Sequence, residues 1–288
     1  GMFIYGMDVM GDGLQKWAGD RMRTILGALT RNRVFGLIAG LVVTAIIQSS
    51  SATTVMLVGF VNAGLMNLVQ CMGVILGADI GTTVTAQLIA FKVTDYALLM
   101  IGLGFILTFF TKKKNLNYLG RVLLGFGLLF YGLKVMSDTL KPLRSYPPFM
   151  DLIASVENPF VGLLVATGLT ALIQSSSAMT GIVITLSWQG LIGLQEAIPL
   201  LFGANLGTCI TAALASIGTV RDSKRVALAH TIFKLAGIVV FFPWYRIFGY
   251  LVAAASIKYF GAEVSGPPEI IAGAGDLAAK SFGQIYSF

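Results

Sequence analysis

Apolar residues run along this chain in long blocks interrupted at a few points. The blocks lie near residues 1–16, 34–64, 68–91, 96–111, 118–140, 160–190, 194–218 and 226–252, with polar clusters between them. A helix needs about 20 consecutive apolar residues to cross a bilayer, so the longer blocks predict transmembrane helices. Two blocks carry a polar run at their centre. Gln48-Ser49-Ser50-Ser51 divides 34–64, and Gln174-Ser175-Ser176-Ser177 divides 160–190. Each leaves pieces of roughly 14 and 13 residues, too short to cross alone. Such pieces suit re-entrant or broken helices that line a cavity, because lipid offers no hydrogen-bond partner to an interrupted backbone. Gly77-Ala78-Asp79-Ile80-Gly81-Thr82 and Gly203-Ala204-Asn205-Leu206-Gly207-Thr208 set paired glycines around a polar residue, which predicts an unwound break in 68–91 and in 194–218.

The blocks form a repeat. Displaced by 126 residues, the chain overlays itself without a gap. Tyr5-Gly6 falls on Tyr131-Gly132, Asp12 on Asp138, and Gly36-Leu37 on Gly162-Leu163. The run from Thr44 to Ala52 falls on that from Thr170 to Ala178. Roughly a third of positions agree over about 90 residues, more than shared composition produces. Residues 1–117 are read as the first repeat, opening on a helix short enough to be truncated, and 118–252 as the second. Residues 253–288, where Pro267-Pro268 opens a weakly apolar stretch, form an unassigned C-terminal segment. Residues 21–33 hold Arg21, Arg23, Arg31 and Arg33, whereas 147–159 hold no Lys or Arg but contain Asp151 and Glu157. Positive loops stay in the cytoplasm, so the two repeats are expected to lie inverted. Lys112–Lys114 and Arg221-Asp222-Ser223-Lys224-Arg225 fall inside on the same count, while Lys141 and Arg144 run against it.

Composition agrees. The 288 residues are 56% hydrophobic and 11% charged, with mean hydropathy +0.83, against about 25% charge in a soluble domain. The expected fold class is an all-α polytopic membrane protein, multi-pass in the cell (inner) membrane, built from two inverted-topology repeats. The net charge of +7 sits in short clusters between apolar blocks. No contiguous basic face is left for nucleic acid, and the lipid bilayer is the expected surrounding. Cys71 and Cys209, both in apolar surroundings, are expected to be free thiols. No metal-ligating cluster beyond a sodium site and no nucleotide loop is expected. A serine hydrolase needs a base beside its nucleophile, and the single histidine, His230, stands in neither tetrad context. An enzyme is therefore not expected, and His230 reads as a satisfied structural histidine. A homodimer is an allowed assembly.

The tetrads carry the candidate chemistry. Three hydroxyls donate and accept, and the Gln adds one carbonyl and two N–H donors. Breaking the helix frees backbone N–H groups at the start of the next half-helix, where the dipole is positive, and these suit an oxyanion. Freed carbonyls and hydroxyls suit a small hard cation. No Arg or Lys adjoins either tetrad, so an anion bound there needs co-bound cations to offset its charge. Single serines in such helices often only pack or bond back to their own helix; two identical tetrads at the same repeat position argue against that. Thr82 and Thr85, like Thr208 and Thr211, recur at i, i+3 and share a helix face, where small-residue packing is the alternative role. Asp79, whose equivalent is Asn205, could ligate sodium, carry a proton or be structural.

On these residues the chain resembles the type II sodium–phosphate cotransporters, which carry a Gln-Ser-Ser-Ser tetrad in each of two inverted repeats and an Asn-Ile-Gly-Thr-like break after each. Here those read Gln48–Ser51 and Gln174–Ser177, then Asp79-Ile80-Gly81-Thr82 and Asn205-Leu206-Gly207-Thr208. The resemblance reaches to about residue 240. It implies sodium-coupled uptake of inorganic phosphate by alternating access, with Na⁺ as coupling ion and no other cofactor. It also implies phosphate at Ser49, Ser50, Ser51, Ser175, Ser176 and Ser177. Sodium is assigned to Gln48, Gln174, Ser175, Thr82, Thr85, Asp79, Asn205, Thr208 and Thr211. Three departures stand out. Asp79 replaces the more usual Asn. Lys234 closes His230-Thr231-Ile232-Phe233-Lys234 where the family often has Asn. The stretch Ile101 to Leu107, where electrogenic members carry an Asp, is wholly apolar, which implies electroneutral transport. The soluble helical domain that many bacterial relatives carry after the membrane part is not expected. A passive anion channel or exporter, and a transport-inactive scaffold or sensor, are the alternatives.

Overall fold

A computed structural model describes residues 1–18, 33–90, 94–142 and 146–260. Every regular element among them is helical. The first half comprises α1 (Met2–Ala18), α2 (Arg33–Ile47), α3 (Ser50–Asn62), α4 (Leu68–Ala90) and α5 (Ala97–Phe110). The second comprises α6 (Lys114–Leu140), α7 (Pro147–Ser155), α8 (Pro159–Ile173), α9 (Ser176–Trp188), α10 (Leu194–Gly207) and α11 (Cys209–Ala215). α12 (Arg221–Phe241) and α13 (Tyr245–Phe260) follow. Four stretches, Leu68–Ile89, Lys114–Leu140, Leu194–Ala215 and Arg221–Ala255, are long and apolar enough to cross a bilayer. Large apolar side chains such as Phe110, Leu172 and Val239 stand 76%, 82% and 73% exposed. Water penalises such surface and lipid does not. The protein is an all-α polytopic membrane protein.

The chain doubles back at the first tetrad. Thr44 Oγ1 and Thr53 Oγ1 are 2.9 Å apart, whereas nine residues of continuous helix would span about 13 Å. α2 and α3 therefore lie side by side, and α8 and α9 pack against each other in the same way. Each first arm also runs along the long helix that follows its hairpin: α2 along α4, and α8 along α10. α1 and α5 both lie along α6. One apolar core joins α2, α3, α4 and α12 through residues such as Val43, Leu57 and Val74. A second joins α8, α9 and α10 through Ala166, Val183 and Leu200. A third, around Phe130 and Leu133 of α6, takes in Phe3 and Met10 of α1.

Several expectations are corrected. The helix α4 runs unbroken through Gly77–Thr82. In the second copy the helix is interrupted only at Thr208, whose backbone stays right-handed at φ −65°, ψ −16°. The paired glycines serve close approach instead of unwinding. A β-carbon on Gly77 would stand 1.9 Å from the Leu37 carbonyl oxygen, and one on Gly203 would stand 2.2 Å from that of Leu163. Leu37 and Leu163 are themselves equivalent positions, so both repeats use one contact to seat the first hairpin arm on the long helix. The span expected at 226–252 begins earlier, at Arg221, and changes to a 3-10 turn at Phe242–Trp244. Pro243 lacks the N–H that would continue the α-helix. The loop expected at 147–159 contains the short α7. Cys71 and Cys209 are free and buried. Arg21, Arg23, Arg31 and Arg144, and the stretch containing Pro267-Pro268, lie outside the described residues.

Candidate binding site at the paired helix breaks

The break has the same build in both copies. Gln48 and Gln174 are the non-glycine residues with positive φ among the described residues, at 62° and 57°. Their N–H groups close the first half-helix onto the carbonyls of Thr44 and Thr170, each at 2.7 Å. The next residues, Ser49 and Ser175, are extended, and their hydroxyls accept from the N–H of Ala52 at 3.1 Å and of Ala178 at 3.2 Å. Each tetrad thus ends one helix with a left-handed Gln and starts the next with a capping Ser. A left-handed residue with a β-carbon costs roughly 1–2 kcal/mol, and such strain persists where the surrounding structure imposes it.

The two breaks meet. All eight tetrad residues line one cavity of about 270 Å³. The first-turn amides of a helix have no intrahelical acceptor. One in each half-helix is taken by the capping serine. The two before it belong to Ser50 and Ser51, and to Ser176 and Ser177, all four on the cavity wall. Two helix N-termini, with their partial positive charge, therefore converge on one space. The Gln48 Nε2 donates to the Ala45 carbonyl, while Gln48 Oε1 is buried with no partner.

A part of the wall that sequence reasoning missed comes from α1. Asp8, Asp12 and Gln15 line the cavity, with Met7 and Gly11 beside them. Asp12 accepts from Arg121 Nη1 of α6 at 2.9 Å and from Lys16 Nζ at 2.8 Å. Asp8 has no ion pair among the described residues. The signal was present, since polar residues at i, i+4 and i+7 of an apolar helix mark one wet face. Among the described residues no Lys or Arg belongs to the wall. The arrangement offers amide and hydroxyl donors to an oxyanion, and carboxylate and carbonyl oxygens to a hard cation.

The other sequence-predicted residues do not line this cavity. Thr82 Oγ1 donates to the Ala78 carbonyl at 3.0 Å, Thr208 Oγ1 to that of Asn205 at 2.6 Å, and Thr211 Oγ1 to that of Thr208 at 2.7 Å. Thr85 Oγ1 is buried without a partner. Asp79 and Asn205 are brought together by Lys234 of α12, whose Nζ donates to Asp79 Oδ1 at 2.8 Å and also to Asn205 Oδ1. His230 is buried beside them, with Nε2 3.9 Å from Asp79 Oδ1. Its Nδ1 has no partner, which corrects the expectation of a satisfied histidine. Among the described residues no His, Cys, Asp and Glu cluster is arranged to hold a metal ion.

Comparison with known proteins places the chain among relatives. "Uncharacterized protein YqeW" of Bacillus subtilis is 33% identical over 243 residues, which cover 84% of this chain and 79% of that protein. "Putative inorganic phosphate export protein YjbB" of Escherichia coli is 29% identical over 247 residues, 85% of this chain but 46% of the relative. "Sodium-dependent phosphate transport protein 2C" of Rattus norvegicus is 41% identical over 92 residues, 31% of this chain and 15% of the relative. The chain thus spans less than half of the last two. No solved structure matches. The family described as Na⁺/Pi-cotransporter matches residues 2–138 and 149–263. Each matched segment contains one Gln-Ser-Ser-Ser break, and on this near-complete match the chain belongs to the Na⁺/Pi-cotransporter family.

Proposed function

We propose that the chain is a sodium-coupled symporter of inorganic phosphate that works by alternating access, with phosphate between the two tetrads. One observation carries this reading: two half-helix N-termini and six serines converge on a cavity whose wall holds carboxylates and, among the described residues, no Lys or Arg. A phosphate entering alone would meet the charge of Asp8 and Asp12, of which Asp12 alone is paired among the described residues. At an effective dielectric constant of 20, two unit charges 4 Å apart interact by about 4 kcal/mol. Sodium held by Asp8 and Gln48 Oε1 turns that repulsion into a bridge, so anion and cation bind better together than apart. The name of the animal relative, a sodium-dependent phosphate transport protein, supports the same coupling.

The two repeats lie inverted in the inner membrane on this reading, supported by the arginines before α2 and the acidic residues Asp151 and Glu157 at the equivalent place. Transport is electroneutral, because Ile101–Leu107 lies in α5 with Leu103, Phe105 and Ile106 about half exposed and no carboxylate present. The name of the Escherichia coli relative favours a second reading, export. A coupled carrier runs in whichever direction its gradients drive, so the two readings share one site. Reconstituted protein is expected to accumulate labelled phosphate against its gradient when Na⁺ is higher outside, with Ser50→Ala and Ser176→Ala each lowering uptake at least tenfold. Uptake unchanged when K⁺ replaces Na⁺ would overturn the coupling, and flux only down the phosphate gradient would show a channel.

A further inference from the structure

Lys234 lies mid-way along α12 with its side chain 2% exposed. Burying an isolated ammonium in apolar surroundings costs several kcal/mol even after relaxation, so its partners matter. They are Asp79 Oδ1 at 2.8 Å and Asn205 Oδ1. These two side chains occupy the same position of the two repeats, in the Gly-Ala-Asp-Ile-Gly-Thr of α4 and the Gly-Ala-Asn-Leu-Gly that ends α10 before Thr208. Two oxygens related by the internal repeat, one anionic and one neutral, thus converge on a single positive charge. That is the ligand chemistry of a hard monovalent ion, which takes carboxylate and amide oxygens. The Asp79 side chain is 24% exposed and Asn205 is exposed, while the Lys234 side chain is buried. Two other titratable groups lie at the site among the described residues: His230, on the same helix as Lys234, and the buried Cys209 thiol of α11, which interacts with both Lys234 and Asp79.

We propose that the Lys234 ammonium is a resident cation, occupying between Asp79 and Asn205 a site for a monovalent metal ion and supplying in the protein the charge that the site would otherwise draw from solution. The site is separate from the tetrad cavity. Its consequence for transport, one fewer sodium ion bound here per cycle, rests on the sodium-coupled reading; the site itself does not.

Lys234→Met leaves Asp79 without its ammonium counter-charge. Purified in detergent without phosphate, this variant is expected to bind one more radioactive Na⁺ per chain than the unaltered protein. It is also expected to gain a saturable thermal stabilisation when NaCl replaces choline chloride at equal ionic strength. The pair Asp79→Asn with Lys234→Met is expected to lose both gains, because the anionic ligand is gone. An unchanged Na⁺ count in the Lys234→Met protein would overturn the proposal. Should that variant fold poorly, recovery in NaCl but not in choline chloride supports the proposal, and equal loss in both salts overturns it. Phosphate is absent from these measurements, so failure of the coupled-transport reading would appear only in the liposome uptake.

Discussion

Thr44 and Thr170 occupy the same place in the two repeats and meet different neighbours. Thr44 Oγ1 shares a hydrogen bond with Thr53 Oγ1. The position equivalent to Thr53 is Met179, and Thr170 Oγ1 is left buried and unpartnered. A buried unsatisfied hydroxyl costs about 1–3 kcal/mol, while a made bond contributes about 1 kcal/mol. Thr170→Val is therefore expected to hold or raise the unfolding temperature and Thr44→Val to lower it, measured in one detergent. The serines divide in a similar way. Ser49 and Ser175 cap their half-helices, so changing either to Ala should cost about 1 kcal/mol of stability. Ser50 and Ser176 make no such cap, and their loss should appear in phosphate affinity, read by titration calorimetry, with little change in melting. The sequence overlay already set Met179 opposite Thr53. That Thr53 meets Thr44 across a hairpin was not legible, because a polar break suits a re-entrant hairpin and a broken helix alike.

At the scale of the helices, the glycine motif was located correctly and its role was not. Paired glycines permit an unwound turn, and they equally permit two backbones to touch. Local sequence cannot choose between these, because the choice depends on whether another helix arrives. Here α2 and α8 do arrive, with carbonyls 1.9 Å and 2.2 Å from where β-carbons on Gly77 and Gly203 would stand. Ala at either position must push the hairpin arm away, at a cost of about 1–3 kcal/mol or more. We expect lower yield and an earlier melt from Gly77→Ala or Gly203→Ala. Gly168, inside α8 with nothing within 4 Å of its added β-carbon, is the control. Its change to Ala should stabilise by up to about 1 kcal/mol through helix propensity.

At the scale of the whole molecule, α1 completes a cavity that the tetrads alone leave open. It lies along α6, with Asp12 bonded to Arg121 across 109 residues of chain. Asp8 faces the same space, with no ion pair among the described residues. Asp8→Asn should keep the fold, since no ion pair is broken, and should raise several-fold the Na⁺ concentration for half-maximal phosphate uptake in liposomes. Asp12→Asn should instead loosen α1 from α6 and lower the melting temperature.

Local order along the chain was enough to mark the membrane class, the repeated segments and the place of both interruptions. Each of these depends on local order: hydropathy over about 20 residues, identity at a constant displacement, and polar side chains inside apolar runs. Packing settled what local order left open: α1 supplies part of the wall of the cavity that the tetrads share, and Lys234 joins Asp79 to Asn205 across 155 and 29 residues. The physical reason is that backbone breaks and helix periods are set by neighbours in sequence. Which faces touch is set by packing among helices whose apolar surfaces look alike until they are brought together.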